Sequence, residues 1–239
     1  MVSNPFVSAS GAGSRCPVIQ CRACPRLVAW REAQAARVPP RHATWVRAHG
    51  FWARPVPAFG GPAAWLAVVG LAPAAQGANR TGRMFTGDRS GEFLYAALHR
   101  AGLASSPCSE HRDDGLRLHG AVITAALRCA PPGNRPEAAE LARCRGYLRD
   151  DLAACHDLRV VLALGRIAHD AVVGLVRETG GAPARFAHGA VHELPGGCRL
   201  VDSYHVSQQN TFTGRLTVDM FDGILRLCRT LAGLEEGTK

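Results

Sequence analysis

The chain has 239 residues, enough to bury one large core, and its 47% apolar and 20% charged residues are the ordinary mixture of a globular protein. The longest apolar run, around Trp65 to Leu71, is too short for a membrane span, and MVSNPFVSASGAGSRC lacks the basic-then-apolar order of a signal peptide, so membrane function is excluded and a cytoplasmic location expected. The formal charge of +9 suits a phosphate-bearing partner, although abundant Arg and Ala with a single lysine, Lys239, equally fits codon bias in a GC-rich genome.

Along the chain, residues 1–15 are Gly/Ser-rich and read as a disordered tail, leaving residues 16–239 as a single domain. An Arg-rich helix is predicted from Pro25 to Arg37, then an irregular segment over 38–63, rich in Pro, Gly and aromatics. Four apolar runs read as strands: 64–71, 120–127, 159–165 and 198–205. Helices are predicted between them: 90–102 with Phe93, Leu94, Ala97 and Leu98 on one face, 135–155 opening with Pro136 at its first position, and 166–180 ending at glycine. A closing helix covers 215–234. Continuous apolar strands alternating with helices predict a three-layer α/β/α domain whose central four-stranded parallel sheet is covered on both faces.

In such folds a ligand sits beyond the carboxyl ends of the strands. Three unusual stretches fall there: APAAQGANRTGRMFTGD after the first strand, RCAPPGNRP after the second and HVSQQNTFTGR after the fourth. Residues 70–91 hold five glycines and three arginines but one acid, Asp88. One shared site is predicted.

Nine cysteines, an odd number, argue against a disulfide framework. Cys21 and Cys24 form C-x2-C, and Cys129 and Cys144 form C-x14-C; together the four could enclose a structural zinc or an iron–sulfur centre, and spacing does not choose between them. Cys155, Cys198 and Cys228 lie on apolar faces and read as core; Cys16 could substitute in the quartet.

GLAPAAQGANRTGRMFTGD, HVSQQNTFTGR and the cysteine quartet, in this order, resemble the uracil-DNA glycosylase superfamily, and within it family 5, or type B. The sibling family 4 carries an acidic residue where this chain has Leu71. The resemblance implies a monofunctional glycosylase that hydrolyses the N-glycosidic bond of uracil, and of other deaminated or modified bases, to initiate base excision repair. It implies a [4Fe–4S] cluster on Cys21, Cys24, Cys129 and Cys144, structural in role, and a cytoplasmic, nucleoid-associated bacterial monomer acting on DNA.

Residue by residue, the resemblance places Gly70, Leu71, Ala72, Pro73 and Ala74 on the sugar and water side of the pocket and matches Phe85 to the aromatic that stacks on the base. Asp88 and His205 match its acidic residue and its histidine. Two positions depart from it: Ala125 stands where family 4 reads the base edge with Asn, which puts strict uracil selectivity in doubt, and Met84 stands where Pro is common. A histidine at uracil O2 would stabilise charge that develops only in the transition state. Asp88 could orient water or simply cap the following helix, with Asn79 the alternative polar group of this loop. Ser207, Gln208, Asn210, Gly214 and Arg215 are expected to contact DNA, with Gln208 or Phe212 filling the vacated stack, and Arg80, Arg83 and Arg89 to face the same backbone. The rival readings are a damaged-DNA binding module of this fold with little turnover and a zinc-stabilised nucleotide hydrolase.

Overall fold

The computed structural model describes residues 4–6, 17–178, 180–182 and 184–234; Cys16 and most of the expected tail lie outside these. Within that tail, Asn4 donates through Nδ2 to the Leu152 and Cys155 carbonyls, both at 2.8 Å, and Phe6 is buried. These positions are docked, not free.

Six strands form one sheet: β1 (Phe59–Gly60), β2 (Leu66–Gly70), β3 (Ala121–Ala125), β4 (Val160–Leu164), β5 (Val191–Glu193) and β6 (Arg199–Ser203), in the order β1-β3-β2-β4-β6-β5. The sheet is therefore six-stranded and mixed, not the four-stranded parallel sheet expected. The β3-β2-β4-β6 centre is parallel, and β1 and β5 add short antiparallel edges. Sequence periodicity misses such edges because two or three residues carry no pattern.

Eight α-helices occur among the described residues: α1 (Pro25–Ala33), α2 (Pro40–His49), α3 (Ala78–Thr81), α4 (Arg89–Arg100), α5 (Ala138–Ala153), α6 (Arg166–Arg177), α7 (Gln208–Phe212) and α8 (Val218–Leu231). Alternation along β2 divides the core. Leu66 and Val68 pack with Leu94, Leu98, Phe221 and Leu225 of α4 and α8; Ala67 and Val69 pack with Leu148, Leu152, Val172 and Val176 of α5 and α6. Burial on both faces explains why β2, β3 and β4 read as unbroken apolar runs, each large side chain contributing roughly 1.5–3 kcal/mol.

Several boundaries move. The first helix ends at Ala33 and continues as a 3-10 turn, Gln34–Ala36. The supposedly irregular 38–63 segment contains α2, which Pro40 opens. Pro136 precedes α5 instead of starting it; the first turn is fixed by Glu140, whose carboxylate accepts from the Glu137 N–H at 2.8 Å. The helix predicted over 166–180, α6, stops at Arg177, short of glycine. The loop after β6 holds α7 before α8 begins.

Candidate active site and cysteine centre

Beyond the carboxyl ends of β2, β3 and β6 lies a cavity of about 340 Å³. Leu71, Ala72, Pro73 and Ala74 line it from the loop after β2, Asn134 from the loop after β3, and His205, Ser207 and Gln209 from the segment after β6. Met84, Phe85, Asp88 and Ser90 complete the wall. The predicted convergence of three strand-end loops is what the chain builds.

Phe85 and His205 face each other with ring centroids 6.1 Å apart and planes 32° from parallel. The Phe85 ring rests on the backbone of Gly70, where a Cβ would meet ring carbons at 2.7–2.8 Å. Any larger residue at the end of β2 would push the ring from the cavity. Phe85 itself adopts φ 52°, a left-handed conformation costing an L residue roughly 1–2 kcal/mol. Two contacts brace it: its carbonyl packs against Gly91 in the first turn of α4, and Tyr95 donates its hydroxyl to the Met84 carbonyl at 2.8 Å. The surrounding contacts thus hold a strained backbone at the cavity wall.

His205 is half-buried, and burial pushes its imidazole down to about 4, so it is neutral near pH 7. Its carbonyl accepts from Asn210 Nδ2 at 2.8 Å, which fixes the turn into α7. A neutral ring has one N–H to offer an acceptor.

Asp88 caps a helix and also borders the cavity. Its Oδ1 accepts from the Gly91 N–H at 3.0 Å and caps α4. Its Oδ2 lies against Gly77, where a Cβ would overlap it, and the side chain lines the cavity. Burial raises the carboxyl above the usual range, opposed by the backbone N–H groups of Gly91 and Ser90.

A separate pocket is lined by all four predicted ligands, Cys21, Cys24, Cys129 and Cys144. Two buried arginines flank the pocket. Arg31 donates to Cys129 Sγ at 2.9 Å, and the Arg128 backbone N–H donates to Cys144 Sγ at 3.3 Å. Arg31 Nε and Arg128 Nε and Nη1 are buried without hydrogen-bond partners. Four cysteines beside buried guanidinium groups, Arg128 also paired with Asp151, fit a thiolate-bound metal centre, which is anionic.

The uracil DNA glycosylase superfamily model matches residues 57–229. Residues 90–95% of the chain long align with curated proteins described as Type-5 uracil-DNA glycosylase: 51% identity with that of Mycobacterium bovis over 95% of this chain and 85% of the relative, and 52% with that of Thermus thermophilus over 90% and 94%. The Pyrobaculum aerophilum protein of the same description is 44% identical over 90% of this chain and 91% of its own. The chain belongs to the uracil-DNA glycosylase superfamily.

Four expected site residues of this glycosylase-superfamily chain lie elsewhere. Asn79 is fully buried, donating to the Arg31 and Ala75 carbonyls at 3.2 and 3.3 Å, and does not line the cavity. Ala125 is buried beside Gly70 in the β2–β3 ladder, also outside the lining. Arg80 and Arg83 do not face solvent: Arg80 donates to the Gln76 and Gly87 carbonyls and covers Trp45, while Arg83 pairs with Asp114 at 2.7 Å. Both are only 4% exposed; Arg80 holds carbonyls of its own loop, and Arg83 the Asp114 carboxylate and Arg112 carbonyl of the 108–114 loop. Arg89 is exposed beside Glu92.

After β6 the placements agree better. Ser207 lines the cavity and precedes α7, and Gln208, Phe212, Gly214 and Arg215 are exposed, Arg215 stacking its guanidinium 4.4 Å from the Tyr204 ring centroid. Asn210 is instead turned inward to the His205 carbonyl. Sequence reasoning missed Asn134, Gln209 and Ser90. The turn-rich PPGN run signalled the first, in a left-handed conformation at φ 57°; nothing local distinguished the other two.

Proposed function

We propose that this chain hydrolyses the N-glycosidic bond of uracil in DNA, and of other deaminated bases, initiating base excision repair. The observation that carries the reading is Phe85 opposite His205 across one strand-end cavity, with Asp88 in its wall. An extruded base would stack on Phe85, offsetting part of the few kcal/mol that flipping costs. The neutral His205 ring would donate to the base oxygen as negative charge grows there. Asp88, keeping Oδ1 on its helix cap, would orient water through Oδ2. The N1–C1′ bond breaks with its electron pair leaving on the base, water oxygen bonds C1′, and the water's proton is available to the departing base.

Cys21, Cys24, Cys129 and Cys144 would hold a [4Fe–4S] cluster; bound, it supplies a cross-link between α1's approach and the β3–α5 segment. The four cysteines gathered in one pocket and the type-5 relatives support this reading. Ser207, Gln208 and Arg215 are the DNA-facing groups, and the unit 16–239 acts as a cytoplasmic, nucleoid-associated monomer. No helix among the described residues is long and apolar enough to cross a membrane.

The test is multiple turnover on duplexes carrying one uracil, hypoxanthine, xanthine or hydroxymethyluracil, scored by strand cleavage after alkali. Catalytic accumulation of abasic sites from uracil is expected. Stoichiometric binding without product would favour the binding-module reading, and colourless zinc-loaded protein with nucleotide hydrolysis would favour the other.

A further inference from the structure

A second cavity of about 490 Å³ lies between α2 with the following turn and the 108–114 loop. It abuts the first across one helical turn: Ala78 of α3 lines the catalytic-site cavity, whereas Arg80 and Thr81 line this groove. Trp45, His49, Trp52, Arg54, His111 and Arg112 form its working surface.

Its charge is mainly basic, with Asp113 the one acid in its lining. Between Glu32 and Asp88 the sequence contains no acid but six arginines, of which Arg37, Arg41, Arg47 and Arg54 are exposed. Arg54 and Arg112 converge on the Trp52 indole, with guanidinium carbons 5.8 and 4.8 Å from its centroid. Arg54 has no acidic partner among the described residues; Arg112 pairs with Asp113 at 3.1 Å with both side chains exposed, an attachment worth little in water. Asp114 is directed away, bonded to Arg83 and to the N–H groups of Glu110, His111 and Leu116, and so shapes the loop without neutralising the groove.

The surface is also pre-arranged. Trp52 donates to the Pro55 carbonyl at 3.1 Å and packs against Gly82, and His49 and His111 stack at 4.4 Å. Two guanidinium groups held over a fixed indole, one without an acidic partner among the described residues and one held only by an exposed aspartate, suit a polyanion.

We infer that this groove is a second, non-catalytic docking site for the phosphate backbone of the DNA flanking the extruded nucleotide. This rests on the reading of DNA as substrate. It requires no base recognition and therefore acts on uracil-free DNA as well.

The experiment measures affinity of the full chain for uracil-free duplexes of about 30 and about 8 base pairs across a salt series, alongside turnover on a single-uracil duplex. Replacing both Arg54 and Arg112 by Ala should flatten the log K against log salt slope by about two on the long duplex and weaken binding roughly tenfold near 0.15 M salt. The short duplex should be unaffected, Arg54→Lys should retain the slope, and Arg226→Ala, in an α4–α8 cleft that shares no lining residue with the groove, should leave it unchanged. An unaltered slope in the double variant, an equal change on both lengths, or the same flattening in Arg226→Ala overturns the docking site. Wild-type protein that makes no abasic product overturns the glycosylase reading instead, and the uracil-free binding data still decide the groove.

Discussion

The loops after β2 and after β6 both meet the same cavity, yet they use polar residues in opposite ways. In the first, Arg80, Arg83 and Asn79 turn inward and are consumed by the loop's own carbonyls and Asp114, which holds Phe85 and Asp88 rigid. In the second, Gln208, Phe212 and Arg215 stay exposed, and only Asn210 turns back to fix His205. One loop is a wall and the other a contact surface. A basic residue in a site loop is thus evidence about a ligand only after its own backbone's demands are met.

Arg83→Ala should break this contrast most severely. It leaves the Asp114 carboxylate without its buried guanidinium partner, so denaturant unfolding should show a loss of about 3–5 kcal/mol, while Arg215→Ala melts like the parent. Asp88→Asn sharpens it, because Asn still caps α4 but cannot take a proton. Single-turnover cleavage should slow about 10²–10⁴-fold with stability unchanged; parental rates would reduce Asp88 to a cap. His205→Ala should lower the chemical step about 10²–10³-fold, and full activity would remove the imidazole from the reaction.

Arg215→Ala should produce a smaller effect, a DNA-binding salt slope shallower by about one with base preference intact. The smallest is in pH dependence. With its folded value near 4, below the ordinary 6.5, neutral His205 contributes stability in full above pH 6.5 and loses it as pH falls toward 4. Ring NMR shifts should therefore stay flat from pH 8 to 6 and move only near 4; a midpoint near 6.5 would contradict the burial that sets it.

Much of this was readable in the chain. The four central strands were legible because burial on two faces demands unbroken apolar runs; that Phe85, Asp88 and His205 share a cavity followed from strand-end topology joined to their match with the glycosylase motifs. The helix α2 was hidden behind prolines, glycines and aromatics that read as coil, although Pro at a first helical turn is favourable. The five-residue α7 was too short for any periodicity.

Sequence by itself determined which residues must be inside and where the loops leave the sheet, since solvent exclusion acts on each strand through its own composition. Only tertiary structure decided the direction of the polar groups. Asp202 lies in an apolar strand, and nothing nearby in sequence announces His169 at 2.8 Å and His192 at 3.1 Å on its two oxygens, both buried with it or nearly so. Partners of that kind come from distant elements, and a buried charge takes whichever donors the packed fold brings within reach.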